Sequence, residues 1–158
     1  MEGRRLSLVS GAREARGLAV VIDVFRAFTT AAYVIAKGAE CIIPVGSLGE
    51  AFGLKRRHPD WILIGERNGA RVKGFDYGNS PYEVSLADFS GRTVIQTTGA
   101  GTQGVVNAAG ADKILLGSFV MAGAIVRYIQ KAEPEVVSLV AMGSVGVRPS
   151  VEDESCAA

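Results

Sequence analysis

Asp23, Arg26, Thr29 and Thr30 fall within two helical turns of one another in the stretch "VVIDVFRAFTT" (20–30). Positions three and four apart share a helix face, so Arg26, Thr29 and Thr30 can act together. Free N–H groups at a helix start favour an anion, and a guanidinium offers a planar fork to phosphate or carboxylate oxygens. Asp23 has the opposite sign and could approach a phosphate only through a cation or a proton. A hard oxygen ligand of that kind suits Mg²⁺, which is usually held by one or two carboxylates together with water and substrate oxygens. Glu66 and Arg67 in "LIGERNG" repeat the pairing of acid with base. Thr97 and Thr98 in "TTGAGT" add hydroxyls beside glycines that let an anion come close to the backbone. Glu152 and Asp153 in "PSVEDESC" are two further acids, with Ser150 placed to cap a helix there. Acids in a first helical turn also complement the helix dipole, without any site.

The elements that must position these groups alternate along the chain. "LAVVID" (18–23), "AECIIPV" (39–45), "WILIGE" (61–66), "RTVIQ" (92–96), "DKILLG" (112–117) and "EVVSLVAMG" (135–143) read as strands. Helices are expected over 25–38, closed by Gly38; over 47–59, capped by Ser47 and stopped before Pro59; over 101–110; and over 119–134. Residues 67–91 form a Gly-rich polar stretch with little periodicity. Strands apolar on both faces and separated by helices imply an α/β fold, a three-layer α/β/α arrangement with a mainly parallel sheet. The length suits one domain over 1–158. Ligands in such folds bind beyond the carboxyl ends of the strands. Asp23, Glu66, Arg67, Thr97, Thr98, Ser118 and Ser144 all follow strands, and so should share one edge.

Composition removes other classes. A formal net charge of +1 leaves no electrostatic footprint for nucleic acid or an acidic membrane. The basic run "KRRHPD" reads as a solvated helix end, with His58 exposed and Trp61 in the core. Cys41 and Cys156 lie far apart in no metal-like spacing, and Cys41, inside an apolar run, reads as a small buried residue. No apolar stretch reaches the ~18 residues of a membrane span. The N-terminal segment lacks the apolar core of a signal peptide, so a cytoplasmic protein is expected.

Taken together, "VVIDVFRAFTTAAYVIAKGAECIIPV", "GERNGARVKGFDYGNSPYEV", "VIQTTGAGT" and "SVEDESCA" resemble the 2-phosphosulfolactate phosphatase family, in order and over nearly the whole chain. The resemblance implies a Mg²⁺-dependent phosphatase that releases phosphate from 2-phospho-3-sulfolactate, a step toward coenzyme M. It implies catalytic roles for Asp23, Arg26, Glu66 and Arg67. Substrate contacts would come from Thr29, Thr30, Asn79, Ser80, Thr97 and Thr98, and metal contacts from Asp23, Glu152 and Asp153. The partner would be a small phosphate monoester, and assembly into a homo-oligomer is compatible with it.

Two departures from the family pattern stand out. Its fourth motif carries an asparagine before the Gly-Thr, where this chain has Ala100 with an extra glycine before it. Family members also continue beyond the equivalent of Ala158, so 1–158 should be the N-terminal two-thirds of a longer fold. The alternatives are a non-catalytic phosphate-ligand or scaffold homologue, and a dinucleotide-binding protein built on "GAGTQG" (99–104). The latter needs an acid at the end of the next strand, where Gly117 and Ser118 stand instead.

Overall fold

The computed structural model describes residues 1–158. Strand β1 (Glu2–Ser7) leads into helix α1 (Leu8–Glu14), and β2 (Leu18–Ile22) into α2 (Ala27–Ala36). Then come β3 (Cys41–Pro44), α3 (Leu48–Arg57), β4 (Ile62–Arg67) and a short return strand β5 (Ala70–Arg71). Helix α4 (Pro81–Ser85), β6 (Thr93–Thr97), α5 (Gly101–Asn107) and β7 (Lys113–Gly117) follow. A 3-10 turn (Phe119–Met121), α6 (Ala122–Ala132), β8 (Val136–Ala141) and α7 (Val151–Cys156) complete the order. No helix is long and apolar enough to cross a membrane.

Local chemistry explains the clearest boundaries. Ser47 accepts the Glu50 N–H at 3.1 Å, Glu50 sits in the first turn of α3, and Lys55, Arg56 and Arg57 fill its last turn. Cap, acid and bases all complement the helix ends, so α3 lies where its sequence places it. Helix α2 begins two residues later than expected, because Phe25 and Arg26 belong to the turn that leaves β2.

The expected α/β class with mainly parallel pairing is observed, but the strands are divided between two sheets. One runs β1-β8-β2-β7 and the other β3-β6-β4-β5, and only the β4–β5 pair is antiparallel. Helix α2 packs against both sheets. Its Ala27, Phe28 and Ala31 pack with Ala19, Val21 and Val140 of the first sheet. Its Val34 packs with Ile62, Ile64 and Val94 of the second. A buried bond from Gln96 Nε2 to the Ala27 carbonyl oxygen, at 2.8 Å, ties β6 to the start of the same helix. Helices α6 and α7 cover the outer face of the first sheet through Ile125, Ile129 and Ala157, and α3 covers that of the second through Ala51 and Phe52.

Several readings of the sequence are corrected. The N-terminal residues form β1 and α1, and β1 finds its partner in β8, with Glu2 opposite Val136. Cys41 is exposed rather than buried, because it opens the edge strand β3. His58 is half-buried and stacks on the partly buried Trp61, with ring centroids 3.9 Å apart, at the amino end of β4. Ser150 stands at the start of α7, but its hydroxyl makes no capping bond.

Candidate active site

Asp23 leaves the end of β2 almost fully buried. Its N–H donates to the Gly117 carbonyl at 3.1 Å, and its Oδ1 accepts the Ala27 N–H at 3.0 Å. The chain's own carboxylate therefore occupies the start of α2, where the sequence suggested an external anion. Helix α5 starts against the same side chain. A Cβ at Gly101 would lie 2.7 Å from Ala27 Cβ and 2.9 Å from Asp23 Oδ2, so only glycine allows the approach. Arg26 is exposed and directs Nη2 toward the Gly69 carbonyl at 3.5 Å.

Glu66, at the end of β4, holds two loops. Its Oε2 accepts the Gly69 N–H at 2.7 Å and its Oε1 the Gly99 N–H at 2.6 Å. Asn68 and Gly69 make the two-residue turn into β5, with φ of 54° and 79°. Both angles are positive, the combination that favours Asn-Gly in such hairpins. Arg67 turns away from this cavity: Nη1 donates to the Glu66 carbonyl at 2.7 Å and Nη2 to Thr97 Oγ1 at 2.8 Å. Thr98 is buried, with its N–H donating to Thr102 Oγ1 at 2.8 Å and its own Oγ1 accepting the Thr102 N–H at 3.2 Å.

Helix α7 brings in the last acids. Asp153 accepts the Val24 N–H through Oδ1 at 2.7 Å and the Gly143 N–H through Oδ2 at 2.8 Å, so it bridges the ends of β2 and β8. Glu152 is half-buried at the cavity wall.

These pieces enclose a cavity of about 490 Å³ at the carboxyl ends of strands from both sheets. Asp23, Arg26, Glu66, Asn79, Glu152 and Asp153 line it, together with Phe25 and residues 68–69, 99–100 and 143–145. Asn79 is buried, and its Oδ1 has no partner. A larger groove of about 680 Å³ lies elsewhere, between Ile42, Leu116 and α2, but its lining is hydrophobic apart from the Tyr33 hydroxyl and carries no charged side chain.

The lining is strongly acidic, with four carboxylates to one guanidinium. None of the four makes an ion pair; the pairs present are Arg4–Glu2, Lys55–Asp76 and Arg71–Glu83. Burial, with a smaller contribution from the charges of Asp153 and Glu66, raises the Asp23 carboxyl to about 6, against bonds from the Ala27 and Gly101 N–H groups that lower it. Burial likewise raises Asp153 above its ordinary value. Crowded, desolvated carboxylates with no cation beside them are a donor set that fits a divalent ion. No three acidic, imidazole or thiol groups converge on one point, so the side chains could supply two ligands at most, the number typical for Mg²⁺.

Of the residues singled out from the sequence, the cavity collects Asp23, Arg26, Glu66, Asn79, Ser144, Glu152 and Asp153. It does not collect Arg67, Thr29, Thr30, Ser80, Thr97 or Thr98. Thr29 donates to the Val24 carbonyl at 2.7 Å, Ser80 caps α4 by accepting the Glu83 N–H, and Thr30 is buried without a partner. Phe25, Asn68, Gly69 and Val145 line the cavity without having been singled out. The Asn-Gly pair was the available signal for two of them. Beyond "GAGTQG", β7 ends at Gly117 and a buried Ser118, with no acid for a ribose.

The family model described as 2-phosphosulpholactate phosphatase matches residues 6–158. A Thermotoga petrophila protein named probable 2-phosphosulfolactate phosphatase is 42% identical over 135 residues, which cover 85% of this chain and 57% of that protein. Proteins of the same name from Symbiobacterium thermophilum and Caldicellulosiruptor saccharolyticus are 38% and 39% identical, over 89% and 88% of this chain and 60% and 59% of theirs. The chain thus spans less than two-thirds of the length of these curated relatives.

Proposed function

This chain belongs to the 2-phosphosulpholactate phosphatase family, and from that premise we propose that its cavity binds a phosphate monoester of the 2-phospho-3-sulfolactate kind and hydrolyses it with Mg²⁺ as cofactor. The observation that carries the reading is the meeting of Arg26 with four carboxylates lacking ion-pair partners at the carboxyl ends of both sheets.

Arg26 is the one cationic side chain in the lining, and its fork would grip the phosphoryl oxygens. Asn79, with a free amide oxygen, would orient the organic part of the ester or a water. Asp23 and Glu152 would hold Mg²⁺, which when bound neutralises charge on the phosphate. Asp153 is a further candidate ligand, and through the backbone N–H groups that its two oxygens accept it also fixes the Val24 and Gly143 turns around Asp23. Water would attack phosphorus in line with the ester oxygen, one P–O bond forming as the other breaks, and the proton that water gives up would pass to the departing alkoxide to release the alcohol; the protein contributes positioning and electrostatics. Asp23 Oδ1 is engaged with the Ala27 N–H, and no second aspartate stands two residues on, which favours a metal-holding role over a nucleophile.

Ala100 lies in the cavity wall where the resembling motif has an asparagine, and it favours as second reading a phosphate-ligand-binding homologue without turnover. Phosphate release from purified chain separates the two, using 2-phospho-3-sulfolactate and simple phosphate esters, with Mg²⁺ and after chelation. Release that requires Mg²⁺ is expected. Binding of phosphate without release would favour the second reading, and neither binding nor release would sink both.

A further inference from the structure

Glu66 has the residue type of a general acid or base, yet its hydrogen bonds point elsewhere. Both carboxylate oxygens already accept short backbone bonds, from Gly69 at 2.7 Å and Gly99 at 2.6 Å. Those two amides belong to different walls of the cavity, the β4–β5 turn and the turn between β6 and α5. The Gly69 peptide continues the connection, because its carbonyl faces Arg26 Nη2 at 3.5 Å. No hydrogen bond other than those of the Glu66 side chain joins the Gly69 turn to the Gly99 turn.

We infer that Glu66 is a positioning residue: its carboxylate ties the Asn68–Gly69 turn to the Gly99 turn and thereby sets where Arg26 meets the anion. The inference rests on the phosphate-binding reading of the cavity and assigns Glu66 a role in it distinct from proton transfer. Taking up a proton would turn one of these acceptor oxygens into a hydroxyl, a weaker acceptor, so proton transfer at Glu66 would loosen one of the loops. The ionised form keeps both bonds, and charge-assisted bonds of this length are the strong kind. Arg67 reinforces the arrangement from behind by donating to the Glu66 carbonyl and to Thr97.

Two variants separate positioning from catalysis. Glu66→Ala frees both amides, whereas Glu66→Gln restores one acceptor and turns an NH₂ group against the other N–H. The measurements are amide hydrogen exchange at Gly69 and Gly99, the affinity of the full chain for inorganic phosphate by calorimetry, and the pH profile of ester hydrolysis. Exchange at the buried Ile64 and Ile95 amides reports whether each variant is folded. Exchange at Gly69 and Gly99 should accelerate together in Glu66→Ala, and phosphate affinity should fall roughly 10-fold in Glu66→Gln, the scale of one lost charge-assisted bond. The pH profile of Glu66→Gln should keep its shape. Unchanged phosphate affinity in a folded variant, or a profile that loses one limb, would overturn the inference. If the unmodified chain binds no phosphate, the functional reading fails by itself. Exchange then decides the role of Glu66, and the tie stands only if both glycine amides accelerate together.

Discussion

Asp153 reaches from the last helix to the second strand, where its Oδ1 accepts the Val24 N–H at 2.7 Å, one residue beyond Asp23. Residues far apart in the chain thus share one strand end, and the acid proposed for the metal is positioned by an acid from α7.

Stability should depend on that contact. Asp153→Ala leaves the Val24 and Gly143 N–H groups without acceptors, and each orphaned buried group costs ~1–3 kcal/mol. Removal of a buried carboxylate near Asp23 offsets part of the loss, so a net destabilisation of about 2–3 kcal/mol is expected. Asp153→Asn retains one acceptor and should lose less. Urea midpoints at constant slope measure both, and an unchanged midpoint in the alanine variant would contradict the bridging role.

The pH dependence of stability follows from Asp23. Its folded-state pKa, about 6, lies above the ordinary carboxylate value of 3.8. The fold therefore favours the protonated form, and the associated stability is complete below pH ~4 and is lost as pH rises through ~6. A rise of this size corresponds to on the order of 3 kcal/mol. Asp153 is raised in the same sense, so the difference between wild type and Asp23→Asn is the informative quantity. With metal chelated, Asp23→Asn should show a flatter fall in melting temperature between pH 4 and ~7. Parallel curves would show that Asp23 titrates normally.

Arg26 tests the anion site. Arg26→Lys keeps the charge but loses the planar fork, so kcat/KM for a phosphate ester should fall roughly 10- to 100-fold. Kinetics equal to wild type in this variant would remove Arg26 from the site.

Mg²⁺ should raise the melting temperature, by an amount that grows with its concentration relative to Kd. Glu152→Gln should lose most of the rise, since Glu152 lines the cavity and holds no loop in place. Asp60→Asn, in the exposed turn before β4, should keep it. A melting point indifferent to millimolar Mg²⁺ in the wild type would count against the proposed cofactor.

The sequence revealed the local parts of this architecture. Apolar runs that end in Asp23, Glu66 and Thr97 were readable as strands with their functional ends, and Ser47, Glu50 and the basic triplet marked α3. Pairing between distant segments was not readable, because nothing in "EGRRLS" names β8 as its neighbour. The division into two sheets was not readable either, because an apolar run marks a strand without saying which other strands it bonds to. Residue type also failed to tell which hydroxyls face the cavity. Thr98 and Thr29 spend their hydrogen bonds on the backbone, a matter of side-chain direction that only the fold decides.

The strand order has a consequence for how the chain is made. The second sheet is drawn from residues 41–97 and can pair as soon as that segment has been synthesised. In the first sheet, β1 and β2 flank β8, which ends at Ala141. The earliest strands are therefore not paired with one another and wait for β7 and β8, which are translated much later. At ~5–20 residues per second, that delay leaves the apolar β2 without its sheet for several seconds on the ribosome. Long-range parallel pairing of this sort is intrinsically slow. Asp153 is translated later still, so its wall of the cavity cannot form until every strand of the first sheet has emerged.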